Sequence, residues 1–464
     1  MPSSSRPIYG LDDRPEFPRN LVLALQHVLT MFGATVSVPL LLGPAMGMSP
    51  GELAILVSSV MLCSGVATFL QVTWGSRLPI IQGVSFSFLA AFFAIIATTG
   101  GDGPRAMRLI AGAILMGSLV EMGLGLGGFV GRLRRLLSPV VVGPVIMLIG
   151  LALFGHGAPK AGTDPRISGL TVLLIIVFTL ILSRKSSFFR IFPILSAVVL
   201  AYAVALGFSL AGVFAPGHPS HVDLSTIGNA PWFRTTGLVF PWGRPEFDLT
   251  FLIAILAAYF ASAVESFGDY HAVAAMAGAE APSGKQLNRG IGFEGVGCAV
   301  TGLLGGFSST SYSENVALVG ITKVASRRVV QIAALLLVTL GMFSRFGAAV
   351  ATIPGPIVGG LYCALFGLIS AVGIQQLAKA DLTSDRNLFI AGFSLFMGLS
   401  VPAWMAGGTG YQPGAEEFLA GLPSWLGEVL RSVGGTGMAV AGVLGLVLDN
   451  VIPGTDQERG LAGD

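Results

Sequence analysis

Fourteen apolar runs follow one another along this chain, at about 20–43, 53–74, 79–99, 107–128, 139–156, 167–183, 191–213, 249–276, 290–304, 311–324, 328–349, 355–377, 386–405 and 433–452. Roughly 20 apolar residues cross the hydrocarbon core of a bilayer. The pattern therefore predicts an all-α polytopic membrane protein with 14 transmembrane segments, of which the third and tenth are the weakest as full spans. Charge supports the same class: 11% of the 464 residues are charged, against roughly 25% in soluble domains. Glycine, at 64 residues, suits helices that pack closely in lipid. A net charge of +2 and the lack of a basic cluster with interleaved aromatics argue against a nucleic-acid surface. Cys63, Cys298 and Cys363 all lie in apolar runs and read as buried thiols, with neither a disulfide framework nor metal spacing.

Fourteen spans put both termini on one side. That side then carries eighteen of the 26 Lys and Arg residues and the opposite side eight. By the positive-inside rule the termini are cytoplasmic, and the expected location is the plasma or inner membrane. The polar stretch of about twenty residues before the first run does not read as a cleaved signal peptide. The long loops at about 214–248 and 406–432 become extracytoplasmic caps without recognisable chemistry.

Three pairs of segments look alike at a separation of seven spans. "SPVVVGPVIMLIGLALFG" in span 5 matches "IPGPIVGGLYCALFGLIS" in span 12. "LQHVLTMFGA" in span 1 matches "AVESFGDYHA" in span 8, and "LPIIQGVSFSFLAA" in span 3 matches "SSTSYSENVALVG" in span 10. Seven is odd, so the halves have opposite topology. Two inverted 7-segment repeats with broken helices at matching positions point to a transporter with a midplane site. Spans 3 and 10 each join a polar, β-prone stretch to an apolar helix. An extended segment survives at membrane depth only if protein or a water-filled cavity satisfies its backbone. Two such segments pairing across the halves would leave two helix N-termini facing a ligand near the membrane centre.

Ionisable groups inside spans are costly and usually functional. Glu265 and Asp269 lie four residues apart, on one helix face. Their closeness makes a proton-carrying pair. Glu314 opens the tenth helix as a second anchor, with Asn315 bracing it. Gln26 and His27 are polar supports in span 1. Phe86 and Tyr312 flank the two helix starts, placed to line a flat ligand. Glu294 either relays protons or holds a neighbouring backbone, Glu121 reads as structural, and His271 is a minor candidate. No HExxH zinc motif and no GxGD pair occur, so an enzyme is not expected, and neither is a metal or cofactor.

These residues resemble the signatures of the nucleobase–ascorbate transporters, nucleobase:cation symporter family 2. The run Glu314-Asn315-Val316-Ala317-Leu318-Val319-Gly320-Ile321-Thr322-Lys323 is similar to the family's tenth-span signature, with Ala317 in place of the usual Gly. Glu265-Ser266-Phe267-Gly268-Asp269 matches the eighth-span motif, Gln26-His27 the first-span pair, and "GVSFSF" the third-span element. The resemblance implies short antiparallel strands in segments 3 and 10. It implies a core domain at 20–128 and 249–349, a gate domain at 139–213 and 355–452, and tails at 1–19 and 453–464. It implies that Glu265 and Glu314 hydrogen-bond the ring edge of a base, with Phe86, Ser313 and Tyr312 assisting. It also implies proton or sodium symport and a homodimer.

Glu at the first signature position resembles the uracil members, whereas Asp269 resembles the purine and ascorbate branches and "GITKVASRRV" the ascorbate branch. A carboxylate accepts N–H donors from a neutral base, while two carboxylates repel anionic ascorbate. Uracil or a related pyrimidine with proton coupling through Glu265 and Asp269 is favoured. Xanthine or another purine, sodium-coupled ascorbate, and an anion exchanger of the same fold are the alternatives.

Overall fold

Proline sets the start of most long helices. It has no N–H to lose in a first turn, and its fixed φ suits one. Pro50, Pro139, Pro165 and Pro193 each open a helix, and Pro18, Pro104 and Pro356 follow one residue later. The computed structural model describes residues 7–235, 237–407 and 415–461. Residues 1–6 and 462–464 of the expected tails, and 408–414 in the second long loop, lie outside them.

The first half contains α1 (Phe17–Ala45), α2 (Pro50–Thr73), β1 (Gln82–Val84), a tight helical turn at Phe86–Phe88 and α3 (Leu89–Ala97). It continues through α4 (Gly103–Leu126), α5 (Val130–Leu136), α6 (Pro139–Ala152), α7 (Phe154–Ala161), α8 (Pro165–Ile176), α9 (Ser187–Ile191), α10 (Pro193–Leu210) and α11 (Ser225–Asn229). The second half contains α12 (Leu249–Met276), α13 (Gly284–Leu303), β2 (Ser309–Ser311), α14 (Ser313–Thr322), α15 (Arg327–Met342), α16 (Ser344–Ala351) and α17 (Gly355–Leu377). It ends in α18 (Asp385–Met405), α19 (Glu416–Ala420), α20 (Ser424–Gly434) and α21 (Gly437–Val451). Among the described residues nine helical stretches are long and apolar enough to cross a membrane, and two shorter apolar ones, Phe86–Ala97 and Gly437–Val451, accompany them. The chain is thus a multi-pass membrane protein.

Several expected spans differ from the observed helices. The ninth, expected from 290, begins six residues earlier, because Ser283 accepts a hydrogen bond from the Gln286 amide and caps the helix. The eleventh, expected as one span over 328–349, breaks at Phe343. There the loop between α10 and α12 takes over the backbone bonds: Ser344 N–H donates to Trp232 O (3.2 Å) and Arg234 N–H to Met342 O (2.9 Å). The fourteenth starts at Gly437 rather than 433, preceded by the separate helix α20. Cys63 and Cys298 are buried, but Cys363 is exposed on α17. Apolarity marks a residue for the membrane without saying whether it faces protein or lipid.

Close helix crossings explain part of the glycine content. A side chain at Gly125 in α4 would strike the backbone of Gly292 in α13. A Cβ at Gly65 in α2 would come within 2.6 Å of Ala334 O in α15. Here small residues replace the hydrophobic effect, which supplies little drive between helices in lipid. Gly125→Val should cost about 1–3 kcal/mol through overpacking, read as a lower melting temperature of the purified protein, whereas Gly123→Val, which has open space around it, should leave that temperature nearly unchanged.

Candidate functional site

The site is built on two three-residue strands. β1 and β2 pair antiparallel in the register Gln82↔Ser311, Gly83↔Thr310 and Val84↔Ser309. Two more backbone bonds extend the ladder, Tyr312 N–H to Ile81 O (3.0 Å) and Ser85 N–H to Ser308 O (3.0 Å). Thr68 on α2 brackets Gln82, accepting from its N–H (2.8 Å) and donating to its carbonyl (3.2 Å). Extended backbone that cannot reach water is satisfied here by protein alone. β1 runs into the Phe86–Phe88 turn and β2 into α14, so both lead directly into helix N-termini.

Gly83 and Tyr312 lock this pair. The Tyr312 ring lies where a Cβ of residue 83 would be, so only glycine fits. The Tyr312 hydroxyl donates to Val84 O (3.0 Å) and accepts from Thr35 of α1 (3.2 Å). Behind the strands, Glu294 of α13 accepts from Ser262 (3.0 Å), Ser266 (2.8 Å) and Tyr270 (2.9 Å). Ser266 also meets the hydroxyls of Thr310 (3.1 Å) and Ser311 (2.8 Å). Ser262, Ser266 and Tyr270 lie at i, i+4 and i+8, one face of α12. Sequence reasoning left the role of Glu294 open and missed these partners, although their spacing was visible.

A cavity of about 90 Å³ opens beside the strands. One wall carries Phe86, Glu265, Tyr312, Ser313 and Glu314. The other is apolar, with Ile146 and Ile149 of α6 and Leu365 and Ile369 of α17. Phe86 meets Phe366 of α17 edge to face at 6.4 Å. Glu265 and Glu314 thus face the same space from different elements, and among the described residues no other side chain donates to either carboxylate. Five of the residues expected at the site, Glu265, Glu314, Phe86, Ser313 and Tyr312, line it together.

The other expected residues are placed differently. Asp269 does not line the cavity. Its two oxygens accept from Ser311 (2.9 Å) and Ser313 (2.8 Å), so it pins the β2–α14 junction to α12. Asn315 is buried and donates to the His27 carbonyl (3.0 Å), fixing α14 to α1. Gln26 is half-buried on α1 and away from the cavity lining. Glu121 is buried in α4, and His271 contacts the Phe267 carbonyl (2.9 Å) within its own helix. The apolar wall from α6 and α17 had no polar signature by which to find it. Ser266→Ala removes a hydroxyl that joins Glu294 to β2. It should lower unfolding stability by about 1–3 kcal/mol, measured by thermal denaturation in detergent.

The family model Xan_ur_permease, described as a permease family, matches residues 18–407. Solute carrier family 23 member 2 of Homo sapiens is 36% identical over 509 residues, spanning 99% of this chain and 77% of that protein. Nucleobase-ascorbate transporter 1 of Arabidopsis thaliana is 36% identical over 423 residues, spanning 86% of this chain and 80% of that protein. Among solved structures, the murine Solute Carrier 26 family member A9 anion transporter in its inward-facing state superposes with a TM-score of 0.61 at 11% identity, covering 95% of this chain and 69% of that one. The transmembrane domain of the cyanobacterial bicarbonate transporter BicA superposes with a TM-score of 0.52 at 17% identity, covering 80% of this chain and 94% of that one. Likeness at these identities shows the fold alone.

Proposed function

The chain belongs to the nucleobase–ascorbate transporter family of permeases, and from that membership we propose that it is a secondary active transporter that carries a nucleobase by alternating access. The observation that carries this reading is the single cavity shared by Glu265 and Glu314. A neutral base offers N–H groups along its ring edge, and two carboxylates facing one space accept them. Phe86 and Tyr312 supply flat faces for the ring, and the Ser313 end of α14 supplies helix N–H groups for a carbonyl. Uracil or a related pyrimidine is favoured, because one small ring suits a compact cavity. A purine such as xanthine is the alternative.

Proton coupling runs through Glu265 in this reading. Protonating it removes a charge before the polar wall moves against the apolar wall of α6 and α17, which lowers the cost of exposing it there. Asp269, held by Ser311 and Ser313, transmits the state of α12 to the start of α14. The moving body is α1–α4 with α12–α16, and the scaffold is α6–α10 with α17–α21. Fourteen segments in two inverted repeats account for this division. The longest helices, α1 with 29 residues and α12 with 28, occupy the first and eighth positions, and the paired strands occupy the third and tenth. Cytoplasmic termini and a homodimer through the scaffold helices complete the reading.

A second reading, ascorbate, is favoured by the likeness to nucleobase-ascorbate transporter 1 of Arabidopsis thaliana. It requires both carboxylates to be protonated before an anion can enter. An anion exchanger faces the same repulsion. Sodium is the alternative coupling ion. A thermal-shift series against uracil, xanthine, hypoxanthine, guanine, urate and ascorbate separates the substrates, because a specific ligand raises the melting temperature of the state it binds. Uracil should give the largest shift, and ascorbate alone would overturn the nucleobase reading. Glu265→Gln and Glu314→Ala should each weaken uracil binding at least tenfold, about 1.4 kcal/mol, with the unliganded melting temperature kept. Tight binding retained in both variants would move the site elsewhere. In proteoliposomes, an imposed pH gradient without sodium should drive uptake. Uptake that answers only to a sodium gradient would reassign the coupling ion.

A further inference from the structure

A second, larger cavity of about 390 Å³ lies away from the carboxylate site. Its walls are the first turns of α2, the start of α16 and the 225–235 segment of the connector between α10 and α12. That connector is fastened along its course. Arg345 of α16 stacks on Trp232 at 3.9 Å and donates to Ala230 O (3.2 Å), and Trp242 donates to Gly305 O (3.0 Å). The cavity is therefore a seam between two packed elements and a strap, rather than a surface dent.

Its chemistry is opposite to that of the carboxylate site. Arg234 supplies a guanidinium, and Ser58, Ser225, Thr226, Asn229 and Ser344 supply hydroxyl and amide groups. None of the lining residues is acidic. Glu52, the acidic residue in the first turn of α2, is folded back on Ser49 in a capping box and does not line the space. Two helix N-termini open onto it, α2 at Pro50 and Gly51 and α16 at Ser344, so two sets of backbone dipoles present their positive ends. The Ser58 hydroxyl is buried among the lining residues and has no hydrogen-bond partner among the described residues. A buried polar group left that way calls for an explanation, and an ion or water in the adjoining space is one.

We propose that this seam is a second binding site, peripheral to the carboxylate cavity, for a small oxyanion such as phosphate or a carboxylate. The Arg234 guanidinium pairs with the charge, the hydroxyls and amide of Ser58, Thr226 and Asn229 take the remaining oxygens, and the two helix N-termini add their dipoles. The guanidinium fork matches oxyanion geometry, and an ion pair of this kind is stronger when partly withdrawn from water. Bound there, the anion ties the connector to α2 and α16.

The test uses the full-length purified protein with sodium phosphate, against sodium chloride at matched ionic strength. Phosphate should give a saturable rise in melting temperature that chloride does not. Arg234→Gln should weaken phosphate at least tenfold. The double variant Thr226→Ala/Asn229→Ala, on an exposed segment where folding is not at stake, should weaken it several-fold. Glu314→Ala should keep the full phosphate response, which separates this site from the carboxylate cavity. Nanodiscs of phosphatidylglycerol or phosphatidylcholine distinguish a lipid phosphate from a free one. A stabilisation by phosphatidylglycerol that is lost in Arg234→Gln supports the site with a headgroup as occupant. No saturable response to either source, or a response unchanged in Arg234→Gln, overturns the proposal.

Discussion

The pairing of β1 with β2 is the constraint on which the candidate site depends. Neither segment can stand alone in a bilayer, because each unsatisfied backbone group there costs several kcal/mol. Each therefore requires the other, although 225 residues of chain separate Val84 from Ser309. Once they pair, two helices must begin inside the protein. Their free N–H groups and the side chains around them then converge on one space. Gly83 and Tyr312 hold the pair in register by steric fit, and Ser266 with Glu294 anchors it from behind.

Four carboxylates crowd this region, and their surroundings divide their roles. Glu294 accepts from three hydroxyl donors and Asp269 from two. Both are structural anchors whose acceptor capacity is in use. Glu265 and Glu314 meet the cavity without a side-chain donor among the described residues. Buried polar groups are costly unless satisfied, so a molecule able to donate to both acids would complete the site. The apolar wall opposite offers no competing partner. It closes the space on that side.

The oxyanion seam differs from this site in sign and in placement. One is acidic and sits where strands and helix starts meet. The other is basic and sits beneath the connector.

The membrane class, most helix positions and five polar or aromatic residues of the cavity lining were legible in the sequence. Apolar runs near 20 residues, prolines at helix starts and carboxylates stranded in lipid-soluble segments are local facts with local causes. Glu265, Glu314, Phe86 and Tyr312 could be singled out because a polar or aromatic group at such a position is conspicuous there, and Ser313 came only from the resemblance to the family's signature. Tertiary structure alone decided that Asp269 turns to Ser311 and Ser313, although it shares a helix face with Glu265, since a helix period says nothing about which neighbour reaches a side chain first. It alone supplied the wall from α6 and α17, whose isoleucines and leucines resemble those of any other span, and the exposure of Cys363. It alone broke the eleventh helix at Phe343, where a loop distant in sequence captured the backbone bonds. Local sequence determines what each segment can satisfy by itself, and only the packed chain determines which partner satisfies the remainder.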